Sequence, residues 1–179
     1  MPLVKNKIRR IGPVAWTLDP EGEALIPGSM MFLSNLSARL LGPDGNPIEE
    51  YDLGSGLVTT AGVNLMATDW NASANNQVLK LANFHHSGTG ATAAAIGDTT
   101  LQTPTADARA TGTQSNPASG QYRTVATCSY AGSQTITEWG LFTASSGGTL
   151  WDRRTFTGIA TDTSTSIEFT YTLTINAGG

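Results

Sequence analysis

The sequence has little charge, because Asp, Glu, Lys and Arg make up only 13% of its 179 residues, about half the share found in an ordinary globular domain. Thr, Ser, Ala, Asn and Gly fill the difference, so the surface is expected to be polar but uncharged. This composition is more typical of all-β extracellular or virion proteins, whose outer strand faces are often Thr and Ser, than of a cytosolic enzyme kept soluble by charge.

Cysteine and long apolar runs are also scarce. Cys128 is the only cysteine, which excludes an internal disulfide, and its alternating surroundings indicate a small buried thiol rather than a nucleophile. No run approaches the roughly 20 apolar residues of a membrane span. Gly12, Pro13 and Asp19 interrupt the region behind the first basic residues, so neither a secretory signal nor a membrane anchor is expected.

The net charge of −4 argues against nucleic acid as the main partner, because phosphate contacts need clustered Lys and Arg. Four of the ten basic residues nevertheless lie in the first ten positions, where no acidic residue occurs: Lys5, Lys7, Arg9 and Arg10. This segment is either a solvated tail or an arm that docks on an acidic partner surface. These four residues are the docking candidates.

The residue sets that build catalytic, metal or cofactor sites are missing or unsuitably placed. His85 and His86 are the only histidines, and adjacent residues of a strand point to opposite faces, so the two rings cannot easily bind one metal. The glycines of residues 88–90 are too few for a dinucleotide loop. No Ser-His-Asp set, P-loop or zinc-protease helix is present. We expect no enzyme activity, no metal and no cofactor.

The strongest pattern lies in residues 135–156, where two apolar-aromatic segments flank a Ser/Gly-rich break at 144–148. This pattern predicts a β-hairpin. Side-chain parity changes between Ile136 and Trp139, which requires either a bulge or a strand that is buried on both faces. A bulge near Gly140 is favoured, because glycine permits it.

Alternation of apolar and polar residues predicts further strands. It is unbroken in the C-terminal segment, so one face of that strand is buried and the other is solvated. Four strands are predicted at short spacing, at 122–130, 135–142, 150–156 and 166–176. They predict an all-β antiparallel sandwich, of which a jelly roll is one form. Strands joined by short turns are expected to be neighbours in a sheet.

The first half of the chain is less regular. Residues 1–30 are rich in Pro and Gly and predict an extended arm with one or two short strands, ahead of a body at 31–179. Within that body, residues 31–84 leave open the alternative of a separate lobe. The remaining predictions are a hairpin from 31, one helix at 59–70 capped by Thr59 or Thr60, a strand at 78–84, and a long ordered loop at 88–104 with a helical turn at 93–96.

Glu138 is the carboxylate expected to be partly buried, because it lies in the apolar first arm of the hairpin. A buried carboxylate needs a partner, and Arg153 or Arg154 on the opposing arm is within reach. Asp152 is the only second acid near enough for an acid pair of the glycoside-cleaving kind. We favour a structural ion pair between Glu138 and one of these arginines over an acid pair between Glu138 and Asp152.

Two phrases of the C-terminal half resemble a pattern that recurs in structural proteins of tailed-bacteriophage virions. They are HHSGTGATAAAIGDTTLQTP and ITEWGLFTASSGGTLWDRRTF, joined by ARATGTQSNPASGQYRTVATCSY. In those proteins a GTG-T-AA-GDT-L stretch precedes a strand and an ITE-GLF-GGTL-R-F hairpin. The similarity covers residues 85–179. It is typical of a virion component, whether head decoration, tail fibre or baseplate.

The resemblance implies a non-enzymatic virion structural protein, and the favoured interpretation is a capsid decoration or cement protein that clamps neighbouring capsid subunits. Its partner is then the major capsid protein or another virion protein, and its location is the virion. Decoration proteins of this kind commonly sit on symmetry axes, so a trimer or dimer is expected. The alternative is a receptor- or glycan-binding component of a tail fibre or baseplate, with exposed Trp and Tyr around the 88–104 loop.

Overall fold

The computed structural model describes residues 9–11, 14–18, 24–25, 31–71 and 81–176. In chain order the elements are β1 (Arg9–Ile11), β2 (Val14–Leu18), β3 (Ala24–Leu25), β4 (Met31–Leu41), β5 (Pro47–Gly54), β6 (Leu57–Val58), α1 (Thr60–Asn71), β7 (Phe84–Gly88), β8 (Ala110–Thr111), β9 (Thr113–Ser115), β10 (Gln121–Ser129), β11 (Gln134–Phe142), β12 (Leu150–Thr161) and β13 (Ser166–Asn176). The first three strands form one small antiparallel sheet, β1-β2-β3.

The other ten strands form two five-stranded antiparallel sheets. Sheet I has the order β5-β4-β13-β10-β9, and sheet II has the order β6-β12-β11-β7-β8. Their facing sides share one apolar core, in which Trp139 of sheet II stacks on Tyr171 of sheet I with ring centroids 5.4 Å apart. The prediction of an all-β antiparallel sandwich with one short helix is confirmed.

The four predicted C-terminal strands are present, but they are not all neighbours. β11 and β12 form the predicted hairpin, whose turn contains Gly147 and Gly148 at φ 61° and 71°. β10 pairs instead with β13, and β11 pairs with β7 on its other side. The expectation of neighbouring strands is therefore wrong for β10–β11 and β12–β13, where the chain crosses to the opposite sheet.

The parity change in β11 has a different origin from the predicted bulge near Gly140. The register shifts between Ile136 and Glu138, where Thr137 alone faces three residues of β12. From Glu138 onward all five residues of β11 are buried, so the strand is covered on both faces. Gly140 is needed for a close approach, because a Cβ there would lie 2.8 Å from Leu101 Cδ2. The position of the bulge was wrong, and the alternative of burial on both faces is confirmed.

The outer face of sheet II is covered by the loop at residues 89–109. Apart from one bridge between Gly88 and Pro104, the loop contains no strand. Leu101 of the loop packs against Phe142 and Leu150 in a second, smaller core. The described body therefore has three layers, which are sheet I, sheet II and the loop.

Helix α1 lies where the sequence predicts it. The Thr59 hydroxyl oxygen accepts a hydrogen bond from the Gly62 N–H at 3.0 Å, which is the expected N-cap. The helix packs through Gly62, since a Cβ there would lie 2.8 Å from the Trp151 carbonyl oxygen. The apolar spacing of Val63, Met66, Ala67 and Trp70 predicts that these four share the buried face, but Val63 is 42% exposed, so the buried side is rotated toward Gly62.

The remaining segments of the first half fit the sequence in part. β4 and β5 form the predicted hairpin, and because β6 and β7 belong to sheet II, residues 31–84 contribute to both sheets. The strand predicted at 78–84 begins only at Phe84, while 78–80 lie outside the described residues. The predicted helical turn at 93–96 is instead a turn closed by the Asp98 N–H and the Ala95 carbonyl oxygen at 3.0 Å.

We predict that Phe169→Ala costs about 3 to 5 kcal/mol of unfolding free energy, because Phe169 is fully buried on the inner face of β13. Thr170→Ala, one residue further along on the outer face, should cost under about 1 kcal/mol. Urea melts of the two variants measure the difference. Equal losses would contradict the assignment of the two faces.

Candidate functional site

Buried ionisable groups are the first place to search for chemistry, because function often accompanies them. In the described part of the chain His85, Glu138, Asp152 and Arg153 are at most 2% exposed. They lie in three places. Glu138 and Arg153 lie beneath the loop, whereas Asp152 and His85 have separate polar partners between the sheets.

Glu138 projects from β11 toward the loop and holds it by backbone contacts. Its carboxylate accepts hydrogen bonds from the N–H groups of Gly90 at 3.1 Å, Gln102 at 3.0 Å and Thr103 at 2.6 Å. A Cβ at Gly88 or Gly90 would come within 2.4 or 2.5 Å of the Glu138 Oε1. Glycine is therefore required at both positions for the loop to approach the carboxylate.

Arg153 completes this cluster from β12. Its Nε and Nη2 donate to the Glu138 Oε2 at 3.0 and 2.7 Å. The same guanidinium donates to the Asp98 carboxylate at 2.9 Å and to the Thr92 carbonyl oxygen at 3.1 Å. Of the two arginines opposite Glu138 in sequence, Arg153 is the partner. The Arg154 guanidinium lies instead beside Gly54 of β5.

The electrostatics of the cluster favour the charged carboxylate. Burial alone would raise the pKa of Glu138, but the Thr103 N–H, the Arg153 guanidinium and the Gln102 N–H together hold it below its ordinary value. The two carboxylate oxygens accept five hydrogen bonds between them. Because its acceptor sites are occupied by groups of the protein, Glu138 holds the loop in place and is not available as a reactive group.

Asp152 lies on the opposite side of sheet II, between the sheets. Its Oδ1 accepts the Leu57 N–H at 3.0 Å, and its Oδ2 accepts the Tyr171 hydroxyl hydrogen at 3.1 Å. Burial raises the pKa of Asp152 to about 6, although these bonds partly oppose the rise. Since Glu138 faces the loop and Asp152 faces sheet I, the two carboxylates do not form an acid pair for glycoside cleavage.

His85 is held in one tautomer by its neighbours. The Trp139 indole N–H can only donate, so the His85 Nδ1 at 3.2 Å must accept. Burial lowers the pKa of His85 to about 3, so the ring is neutral and carries its hydrogen on Nε2. That nitrogen then donates to the Thr124 hydroxyl oxygen at 3.1 Å. His85 therefore cannot accept the hydroxyl proton of Thr124, and it does not activate this hydroxyl as a nucleophile.

The other candidate groups are also structural. His86 points away from the core, and its Nε2 lies 3.2 Å from the Asp107 carbonyl oxygen, as expected for the neighbour of an inward-facing residue. Cys128 is buried, and this burial raises the pKa of its thiol to about 11. No three His, Cys, Asp or Glu side chains converge on a metal position within the described ranges. No helix there is long and apolar enough to cross a membrane.

The predicted docking residues are only partly within the described structure. Arg9 and Arg10 belong to β1, which pairs with β2. Lys5 and Lys7 lie outside the described residues. The ion-pair candidates, by contrast, are all described and separate into the Glu138–Arg153 pair and Arg154.

Comparisons with known proteins add no relative, since no family model, curated protein or solved structure matches the chain.

The residues of the loop cluster lie in two segments of the C-terminal half. Gly88, Gly90 and Asp98 lie in HHSGTGATAAAIGDTTLQTP, and Glu138 and Arg153 lie in ITEWGLFTASSGGTLWDRRTF. The sequence predicted the buried carboxylate, an arginine partner at 153 or 154 and an ordered loop at 88–104, but not that the carboxylate bonds the backbone of the loop. The signal was the pair of glycines two residues apart, which marks a close approach of the backbone.

We predict that Glu138→Gln costs about 3 to 5 kcal/mol of unfolding free energy, because it leaves the Arg153 charge buried without its main partner. Glu168→Gln is the matched control, since Glu168 pairs across strands with Arg39, whose side chain is 45% exposed. The control should lose under about 1 kcal/mol. Chemical denaturation measures the unfolding free energy of both variants. Similar losses would show that the buried pair contributes no more to stability than the exposed pair.

We predict that Asp152→Asn changes the dependence of stability on pH. The pKa of Asp152 rises from 3.8 to about 6 on folding, so its stabilising contribution is complete below pH 3.8 and is lost as the pH rises through about 6. The loss amounts to about 3 kcal/mol.

Denaturant melts of parent and variant between about pH 4 and pH 7 test this expectation. The unfolding free energy of the parent should fall relative to that of Asp152→Asn over the window. If the two curves stay parallel, Asp152 does not titrate as its burial requires.

Proposed function

We propose that this protein is a non-enzymatic structural component of a tailed-bacteriophage virion, and specifically a capsid decoration or cement protein. The observation that carries the proposal is the use of the buried charged groups for internal contacts. Glu138, Arg153 and Asp152 hold a loop or a strand in place, and none presents a reactive atom to solvent. A body built in this way acts through surface rather than through chemistry.

The residues on the outer surface of sheet I are suited to binding a partner through a broad contact surface. Along β13 the outward residues are Thr170, Thr172 and Thr174, and their neighbours on β4 are Asn35 and Ser37. Small uncharged hydroxyl and amide side chains cost little to desolvate compared with charges, and they hydrogen bond with a partner's backbone. The similarity of the C-terminal phrases to virion proteins supplies the class of partner, which is the major capsid protein or another virion protein.

A glycan-binding tail-fibre component is less well supported. That alternative needs exposed aromatic rings around the loop, but residues 89–109 include no Trp, Tyr or Phe. Trp139 and Trp151 are buried in the core. The ring faces that stack on sugars are therefore not offered by these residues.

The basic segment at the start of the chain is the proposed docking element. Lys5, Lys7, Arg9 and Arg10 concentrate positive charge on a chain that is otherwise acidic. An acidic surface of the particle would attract this segment, and salt would screen the attraction. Copies arranged as a dimer or trimer would bind a symmetric particle at several points at once, which raises their overall affinity.

We predict that replacing all four basic residues with Gln weakens attachment to purified particles that lack the protein, by about tenfold or more at low salt. The secondary structure of the free protein, measured by circular dichroism, should hardly change. Co-sedimentation with the particles measures binding, and Lys80→Gln is the control for the loss of a basic residue outside residues 1–10. Binding equal to that of the parent at low ionic strength would place the docking surface elsewhere.

A further inference from the structure

Strand β5 is a free edge of sheet I. It is paired on one side only, with β4. About half of its backbone N–H and C=O groups therefore point away from the sheet, where an added strand can bond them. Five of its eight residues are exposed, including the first four. No other described strand covers this edge.

This edge is strongly acidic. Glu49, Glu50 and Asp52 are all exposed on β5, and residues 40–79 contain no Lys or Arg. Two basic side chains lie near this edge. Arg39, opposite Glu50 on β4, is already paired with Glu168, and the Arg154 guanidinium lies beside Gly54 at the far end of β5. We call Glu49, Glu50 and Asp52 the acidic edge. A groove of about 360 Å³ opens beside it and includes Glu50 and Asp52 in its lining.

The charge of the acidic edge selects what can pair with it. A second β5 would bring carboxylates opposite carboxylates, which is unfavourable, so two such edges do not pair with each other. A strand rich in Lys and Arg would meet opposite charges and bond the same backbone groups. The charge therefore disfavours pairing between two β5 edges and favours pairing with a basic strand.

The chain contains one such basic segment. The sequence has ten basic and fourteen acidic residues, and four of the basic ones lie in residues 1–10 without any acid, which leaves six and fourteen for the rest. We call residues 1–10 the basic arm. Extended, the arm spans about 33 Å, and the eight residues of β5 span about 27 Å. The arm is long enough to cover the whole edge.

The spacing of charges also matches. In an extended strand Lys5, Lys7 and Arg9 project from one face, because side chains alternate. Glu50 and Asp52 alternate in the same way on β5. Two opposite-charge pairs can therefore form across the strands on one face.

The described part of the arm does not occupy the edge of its own copy. Arg9 and Arg10 lie in β1, which pairs with β2 rather than with β5. The edge of each copy is therefore left open by the described end of its own arm, and the arm of a second copy can bind there.

We propose that the basic arm of one copy adds as a strand to the acidic edge of a second copy. Each copy then gives an arm and receives one, which closes into a dimer or a small ring. This inference does not depend on the proposed virion role, because it concerns the free protein.

Two charge-reversed variants test the proposal in the full-length protein. The arm-reversed variant combines Lys5→Glu, Lys7→Glu, Arg9→Glu and Arg10→Glu. The edge-reversed variant combines Glu49→Lys, Glu50→Lys and Asp52→Lys. Each variant alone has like charges on arm and edge, so self-association measured by sedimentation equilibrium at low salt should fall about tenfold or more.

The decisive sample is an equal mixture of the two variants. Each arm then finds an opposite charge only on the other variant, and association should return to within about threefold of the parent. The control variant combines Thr127→Lys, Thr157→Lys and Thr163→Lys at exposed positions away from β5, and it should associate like the parent.

Several results would overturn the proposal. A monomeric parent at micromolar concentration, or a reversed variant that associates like the parent, excludes the contact. A mixture that stays monomeric also overturns the proposal. An arm that folds onto the edge of its own copy would give the monomeric parent instead. Particle binding by the edge-reversed variant tests the proposed function separately, because the arm of that variant is intact.

Discussion

The buried ion pair between Glu138 and Arg153 is the interaction on which the third layer of the protein depends. A buried charged carboxylate is unfavourable unless it is paired and hydrogen bonded, and here Arg153 pairs with it and the loop at 89–109 supplies the N–H groups that bond it. These bonds also fix the path of the loop across sheet II, although the loop has no regular secondary structure. Phe142 and Leu150 are covered because Leu101 is carried into place by this path.

Sequence patterns predicted the strands well and their partners poorly. A period-2 pattern shows which side of β10 or β11 is apolar, but both sheets of a sandwich have an apolar side, so the pattern does not assign a strand to a sheet. The crossing from β10 to β11 was missed for this reason. The bulge was misplaced because Gly140 is small to accommodate Leu101, a residue 39 positions away that local sequence does not reveal.

The ion-pair cluster was predictable only in the part that depends on local sequence. Glu138 stands in an apolar segment, and the hairpin brings the opposing arginines near, so burial and pairing follow from local sequence. The backbone donors at Gly90 and Thr103 come from a loop with no regular pattern. Its path follows from the carboxylate beneath it, which is a long-range constraint. The docking role of Lys5, Lys7, Arg9 and Arg10 stays a prediction.

The pairing of β4 with β13 at the centre of sheet I affects how the protein is made. It joins residues that lie from 125 positions apart, Leu41 with Ser166, to 145 apart, Met31 with Asn176. A growing chain leaves the ribosome from its N-terminus, so the apolar face of β4 stays uncovered until β13 has emerged. The sandwich can close only after β13 has been synthesised, and a chain that ends before β13 leaves the middle of sheet I unfilled. Chaperone binding during translation would protect β4 over this interval.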